Sequence, residues 1–315
     1  MVTSCPDLDA CLRPDTIWLL IAPHPDDEVL AAGGLLPLAA RSGARLHIWQ
    51  LSDGENNPWP QRCLERRLRI DAAARARWGA RRCGESRAGL ARLGLSDAVV
   101  ERWGWPDLGI GERAADPQGA ALALLTERLR ALRPDVLLLP GLADRHPDHG
   151  AAHVLLQLAL HRAGLTPLCL DYVLHGRSDP AAAIRVELDA ATQARKREAI
   201  LEHASQTALS RGRMLAFASS EEHFHRCDRP VAPPPSVRLP WSLPRVGRSR
   251  LRLTVVWDGG ARRWSWADAP LTQAAQGWTL RLPDAACGHG PVYARLDTAR
   301  RGLWIFDRWG WAPLV

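Results

Sequence analysis

The sequence predicts an α/β fold: a mostly parallel sheet with helices on both faces, followed by a small C-terminal antiparallel β unit. Three observations carry this. Over residues 1–228, apolar runs of strand length alternate with Ala/Leu-rich stretches of helical period. Two runs, "TIWLLIA" (16–22) and "DVLLLPG" (135–141), are apolar throughout, as strands buried on both faces are. After residue 244 the pattern changes to short alternating runs separated by turn residues.

Taken in order, "TIWLLIA" is the first strand, and "EVLAAGGLLPLAARSG" (28–43) is a helix ending at Ser-Gly. "RLHIWQLS" (45–52) is a second strand, followed by a long helical region from Gln61 to Gly94, broken near Gly79. "DAVVERW" (97–103) is a third strand, and "PQGAALALLTERLRALRP" (117–134) is a helix that Pro134 stops. "DVLLLPG" is the fourth strand, with a helix from "HGAAHVLLQLALHRAG" (149–164) behind it. "LCLDYVL" (168–174) and "AIRVELD" (183–189) are further strands, and "ATQARKREAILEHASQTAL" (191–209) is one amphipathic helix. This alternation is that of a Rossmann-like sheet, in which strands 1 and 4 can be neighbours. Residues 229–244 hold six prolines and read as a stiff linker or an extended packing arm. The β unit, 245–315, follows with "LRLTVVWDG", "RRWSWAD", "WTLRLP", "VYARLD" and "GLWIFDRW". The expected organisation is therefore a domain over 1–228, a linker over 229–244 and an accessory unit over 245–315.

Composition narrows the class. At 46% hydrophobic and 24% charged, the chain reads as a globular protein. Its start, "MVTSCPDLDACLRPD", has no basic segment leading into an apolar one, and no apolar run is long enough to span a bilayer. Seven scattered cysteines, odd in number and without a CxxC pair, favour reduced thiols and a cytoplasmic location. The net charge of +7 is uneven, because residues 229–315 alone carry +8 and eight of the 14 tryptophans. That asymmetry predicts two units with different jobs.

Ligands of open α/β sheets bind beyond the carboxyl ends of the strands, where strand order reverses. Two polar clusters take such places: His24-Pro25-Asp26-Asp27-Glu28 after strand 1, and "DRHPDHGAAH" (144–153) after strand 4. Each contains His-Pro-Asp and each precedes a helix. Adjacent aspartates repel unless a cation lies between them. Imidazole and carboxylate suit Zn2+ and similar divalent ions, and a catalytic site keeps three protein ligands and leaves a place for water. Asp26 and Asp27 are neighbours whose side chains diverge, so one can ligate while the other accepts a proton. Other readings stand beside this one. The first cluster could be only an N-cap and helix-dipole arrangement. His153 shares a helix face with His149 and could replace it as a ligand. Asp148 and Glu28 are candidates for orienting an imidazole, and Gly33-Gly34 reads as close helix–sheet packing. His203 could reach the cleft or sit in the core; Asp53 and Glu55 could line the cleft or merely turn the chain. Trp59 could stack on a sugar or pack on the surface.

"PHPDDE" (23–28) together with "HPDHGAAH" (146–153) resembles the PIG-L/LmbE-like family of metal-dependent N-deacetylases. "LSDGE" (51–55), "RCGESRAGLARLG" (82–94), "WPDLG" (105–109) and "KREAILEHASQ" (196–206) are similar to that family too, so the resemblance covers residues 17–225. It implies metal ligands at His24, Asp27 and His149. It further implies Asp26 as general base and His146 as the group that polarises the amide carbonyl or protonates the leaving amine. Arg82 and Asp107 would contact sugar hydroxyls. The implied reaction is zinc-dependent (or other divalent-metal-dependent) hydrolysis of an N-acetyl group from an amino sugar or glycoconjugate. The alternatives are a metal hydrolase of a non-sugar N-acyl compound, or a glycan- or nucleic-acid-binding protein with an inactive metal site. All of the implied chemistry lies before residue 229. The Arg/Trp-rich end admits three readings: a β core with arginine as its solubilising cation, a surface for an anionic or glycan part of a substrate, or nucleic-acid binding, which no recognised motif supports. No nucleic-acid partner is expected, and the oligomeric state is left open.

Overall fold

A computed structural model describes residues 3–177, 183–228, 230–243, 248–274, 277–288, 290–298 and 305–315. The elements begin with α1 (Pro6–Ala10), β1 (Ile17–Ala22), α2 (Asp27–Ala32), α3 (Leu35–Arg41) and β2 (Arg45–Ser52). Then come α4 (Pro58–Glu65), α5 (Ala72–Arg92), β3 (Val99–Trp105), α6 (Ile110–Ala114), α7 (Ala120–Leu132), β4 (Val136–Pro140) and α8 (Pro147–Ala163). β5 (Leu168–Tyr172), β6 (Ile184–Glu187), α9 (Ala190–Glu202), α10 (Ala204–Leu215) and β7 (Glu221–Arg226) follow. The chain closes with β8 (Ser236–Arg238), β9 (Leu251–Trp257), β10 (Gly260–Ser265), β11 (Leu271–Ala274), β12 (Gly277–Arg281), β13 (Val292–Thr298) and β14 (Gly310–Leu314).

The chain divides into two compact units. The first comprises residues 1–109, 134–140 and 167–227 and holds a seven-stranded sheet in the order β3-β2-β1-β4-β5-β7-β6. β1 pairs in parallel with both β2 and β4, so strand order reverses between β1 and β4. Those two strands are the wholly apolar runs, and from Trp18 to Ala22 and Val136 to Leu139 they are almost completely buried. Their neighbours in the core include Val29, Leu35, Ile48, Leu90, Ile200 and Phe224. The sheet is mixed at one edge: β7 runs antiparallel to β5, and β6 antiparallel to β7. β7, "EEHFHR", is too polar to read as a strand from pattern alone, and its alternating burial shows one face covered.

Three helices differ from the sequence expectation. The 28–43 helix is two, α2 and α3, because buried Glu222 accepts from the Gly34 and Leu35 backbone N–H groups and starts a new helix there. The break expected near Gly79 lies instead at 66–71, where Arg66 adopts a left-handed φ of 50° and Asp71 caps α5 through the Ala74 N–H. Gly79 sits mid-helix because a Cβ there would meet the Asp53 side chain at 2.9 Å; the residue permits close approach. The 191–209 helix bends at His203 into α9 and α10.

The second unit comprises residues 110–133, 141–166 and 228–315. It combines α6, α7 and α8 with a four-stranded antiparallel sheet, β10-β9-β13-β14, and a three-stranded one, β11-β12-β8. Compactness thus groups α6–α8 with the C-terminal strands, where the sequence reading joined them to the 1–228 domain. Val237, Leu253, Val255, Leu280, Val292 and Leu296 form the core of this unit. Within the segment read as a linker, Ser236–Arg238 is β8, paired with β12, so that stretch acts as the packing arm; Arg229 and Pro244 lie outside the described residues. Of the expected strand "GLWIFDRW", residues 302–304 lie outside the described residues, and the strand observed there is β14, Gly310–Leu314. Arg162 of α8 donates to Asp258 beyond β9, and Trp311 of β14 lies against Gly150 of α8. Among the described residues, no helix is long and apolar enough to cross a membrane.

Candidate active site

The first cluster lies where β1 ends and α2 begins. Pro25 disfavours helical geometry at His24, and residues 23–26 bend and turn before α2 begins at Asp27. The His24 N–H donates to Asp27 Oδ2 at 2.8 Å, and its ring Nδ1 lies 3.4 Å from the same oxygen. The ring's Nε2 lies 3.3 Å from Asp107 Oδ1. Asp26 has φ 147°, a region rarely adopted outside glycine, at a cost of order 1–3 kcal/mol. Arg82 holds that strained residue. One terminal nitrogen donates to Asp26 Oδ2 (3.2 Å) and to the Pro25 carbonyl (3.3 Å), and the other to the Gly54 carbonyl (2.8 Å). Gly54 has φ +62°, and a Cβ there would overlap the guanidinium.

Electrostatics match this burial. Burial opposes the Arg82 charge, but Asp26, Asp107 and Asp27 outweigh it and hold the guanidinium above its ordinary range. Glu28 is fully buried, and burial pushes it up to about 7 despite a hydrogen bond from Ser86, with Asp26 and Asp27 adding to the rise. It receives the Asp26 N–H at 3.2 Å, and Gln50 bridges it to Ser86. Glu28 is therefore an internal support of the loop and not an exposed first-turn acid. His203 is also fully buried; burial and the Arg82 charge pull it down to about 3, so it stays neutral.

The second cluster belongs to the loop after β4 and the start of α8. His146 is the N-cap, and its Nδ1 accepts the Asp148 N–H at 3.3 Å, which leaves the ring proton on Nε2. His149 is fully buried, and its Nδ1 lies 3.0 Å from Asp144 Oδ2. A proton shared there presents Nε2 as a lone pair, the form in which imidazole binds metal. Asp144 also receives the His146 N–H at 2.9 Å, so one carboxylate sets both histidines. Asp148 accepts from the Ile110 N–H at 3.2 Å. Asp144 was the residue missed; the signal for it was a carboxylate one helical turn and a residue before His149. His153 packs edge-on to Tyr293, with ring centroids 6.2 Å apart.

The remaining candidates are placed as follows. Asp107 accepts the Asn56 N–H while its own N–H donates to Glu55 Oε1, both at 2.9 Å, so Glu55 orders the loop that carries Asp107. Asp53 pairs with Arg102 at 2.6 Å. Trp59 is 69% exposed, with the Arg62 guanidinium 5.0 Å above its ring.

Residues 19–160 match the profile of the PIG-L family, described as GlcNAc-PI de-N-acetylase. Over these residues the chain is similar to that family. It is 34% identical to a 2'-N-acetylparomamine deacetylase of Streptomyces fradiae over 164 residues, 49% of this chain and 55% of that protein. It is 29% identical to a 1D-myo-inositol 2-acetamido-2-deoxy-alpha-D-glucopyranoside deacetylase of Rhodococcus opacus (strain B4), over 46% of this chain and 53% of that one. The chain therefore spans about half the length of the curated relatives it matches. Among solved structures, the fold resembles N,N'-diacetylchitobiose deacetylase from Pyrococcus horikoshii, with TM-score 0.51 and 18% identity over 70% of this chain and 87% of that one. The PIG-L match includes both His-Pro-Asp clusters.

Proposed function

We propose that the chain hydrolyses an N-acetyl group from an amino sugar or glycoconjugate, releasing acetate and a free amine, with a divalent metal ion, zinc by preference. The observation that carries this reading is topological. β1 and β4 are parallel neighbours at the reversal of strand order, and each is followed directly in sequence by a His-Pro-Asp cluster. The donors fit the ion: buried His24 and Asp27 in one cluster, and in the other a buried His149 whose Nδ1 is engaged by Asp144. A divalent ion bound by these three supplies a Lewis acid and makes water acidic enough to attack near neutral pH.

The chain's own residues do the rest. Asp26, held in place by Arg82, takes a proton from the attacking water and returns it to the amide nitrogen as the C–N bond breaks. His146, with its proton on Nε2, donates to the carbonyl oxygen as negative charge grows there. Asp107 contacts a sugar hydroxyl. Arg82 acts first on Asp26, since its terminal nitrogens are already engaged there, and only then on substrate. None of the seven cysteines forms a disulfide, which fits a reducing cytoplasm.

The test is acetate and amine release from N-acetylglucosamine, an N-acetylglucosaminyl inositol and 2'-N-acetylparomamine, with metal-loaded and chelator-treated protein. Release that stops with chelator and returns with Zn2+ supports the reading. Metal-loaded protein that cleaves none of these, but cleaves an N-acetyl amino acid, overturns the sugar assignment.

A further inference from the structure

We propose that Asp307, Arg295 and Phe306 are positioning residues for His146: an ion pair anchors a backbone clamp on the turn before α8, and an aromatic ring packs at right angles to the imidazole. What His146 does rests on the deacetylase reading; where it is held does not. All of these residues belong to the second unit. Arg295, Phe306 and Asp307 lie beyond residues 19–160, the part of the chain that matches the PIG-L profile.

The turn is fixed first from within. Asp144 accepts the His146 N–H at 2.9 Å, and the His146 ring Nδ1 accepts the Asp148 N–H at 3.3 Å. A second set of bonds ties the turn to a residue 162 positions later. The Asp307 N–H donates to the Arg145 carbonyl at 2.7 Å, and Arg145 Nε donates to the Asp307 carbonyl at 3.3 Å. Asp307 contributes only backbone to this clamp, so the clamp stays in place only while the Asp307 side chain is anchored. Arg295 anchors it: one terminal nitrogen donates to both carboxylate oxygens, at 3.0 and 3.1 Å, and both side chains are largely buried. Burial lifts the Asp307 carboxyl above the ordinary range, and the Arg295 cation opposes that rise. Arg295 is itself placed by strand register, which sets it opposite Trp311 across β13 and β14, with its guanidinium 5.9 Å from that ring's centre. Trp311 in turn lies against Gly150, one turn along α8 from His146, where a Cβ would meet the indole at 3.1 Å. Phe306, next to Asp307, meets the His146 imidazole at 77° with centroids 6.1 Å apart, an arrangement aromatic pairs favour. A donor to charge growing on a carbonyl oxygen works only within hydrogen-bond reach of that oxygen, so residues that fix its ring act on turnover more than on substrate binding.

The test uses the Zn2+-loaded full chain with isotope-labelled histidine, and His146 is assigned in the imidazole NMR spectrum by the signals missing from His146→Gln. Phe306→Leu is expected to move the His146 signals by removing a ring current. Asp307→Asn and Arg295→Gln are expected to move or split them, while those of His47, on β2 in the first unit, stay in place. On an N-acetyl sugar that the wild type cleaves, kcat should fall in all three variants, by about tenfold or more for Asp307→Asn and Arg295→Gln, with KM and zinc content unchanged. Arg295→Lys, which keeps the charge, should lie between wild type and Arg295→Gln. Folded, zinc-loaded variants whose His146 signals stay at the wild-type positions overturn the proposal. So does a lowered melting temperature with kcat unchanged, the mark of a merely structural pair, or zinc lost in step with turnover, which traces the effect to His149. Phe306→Leu leaves the ion pair intact and decides the matter if Asp307→Asn fails to fold. If the wild type cleaves no N-acetyl sugar, the deacetylase reading fails by itself, and the His146 spectrum still decides whether these residues position the ring.

Discussion

Asp26 combines a strained backbone, burial and a guanidinium on its carboxylate, a set of costs that a purely structural N-cap has no need to carry. Asp26→Asn is expected to keep its metal, measured by elemental analysis, and to lose about 10²-fold or more in turnover. Near wild-type turnover would move the base elsewhere. His149→Ala should lose metal outright. Asp144→Asn should weaken it by about 10–100-fold, because the imidazole loses the partner that sets its tautomer. Metal retained by His149→Ala would point to His153. His203 supplies a pH dependence. Its folded value of about 3 lies below the ordinary histidine value of 6.5, so it contributes stability above pH 6.5 that is lost as pH falls toward 3. The groups acting on it are the Arg82 cation, which lowers it, and Asp27, which raises it. Urea unfolding at pH 7 and pH 5 should differ by about 2 kcal/mol from this group alone, and His203→Gln should remove that part of the difference.

At the scale of elements, the α2–α3 junction depends on one buried ion pair. Lys196, the only lysine in the chain, places its Nζ 2.6 Å from Glu222, and both side chains are about 1% exposed. Lys196→Met leaves Glu222 buried and uncompensated, which should cost about 3–5 kcal/mol in urea unfolding. Lys196→Met combined with Glu222→Gln should recover most of that, since a neutral amide no longer needs the cation. A double variant as unstable as the single one would place the cost in packing instead. Gly54 is the matching device on the loop after β2. Gly54→Ala demands a disfavoured φ and displaces Arg82, so activity should fall along with the hold on Asp26. The split helices share a cause. Glu222, 187 residues from Leu35 in sequence, starts α3, and no local pattern announces it.

For the whole molecule, the division into two units changes what truncation is expected to do. All the expected chemistry precedes residue 229, yet α8, which carries His149, belongs to the unit built with β8–β14. A chain ending at Asp228 removes Trp311 from Gly150 and Asp258 from Arg162. We expect that chain to lose metal and to aggregate on size exclusion. Full metal loading in a monodisperse truncated chain would show that α8 needs no cover from the C-terminal strands.

The sequence by itself determined the parallel sheet, because a strand buried on both faces has to be apolar throughout and "TIWLLIA" and "DVLLLPG" are. It also set two His-Pro-Asp clusters at the ends of neighbouring parallel strands, where open α/β sheets bind their ligands. The Arg/Trp bias of the C-terminal quarter predicted a change of unit near residue 229, while the compact second unit also takes in residues 110–133 and 141–166. Tertiary structure alone brought Asp144 Oδ2 to 3.0 Å from His149 Nδ1, since the turn before α8 sets that approach. It alone showed that Glu28 is buried, that Arg82 supports Asp26, and that α6–α8 associate with the last strands. The physical reason is common to all of these. Periodicity records whether a side chain is buried, but what it is buried against is set by segments far away in sequence.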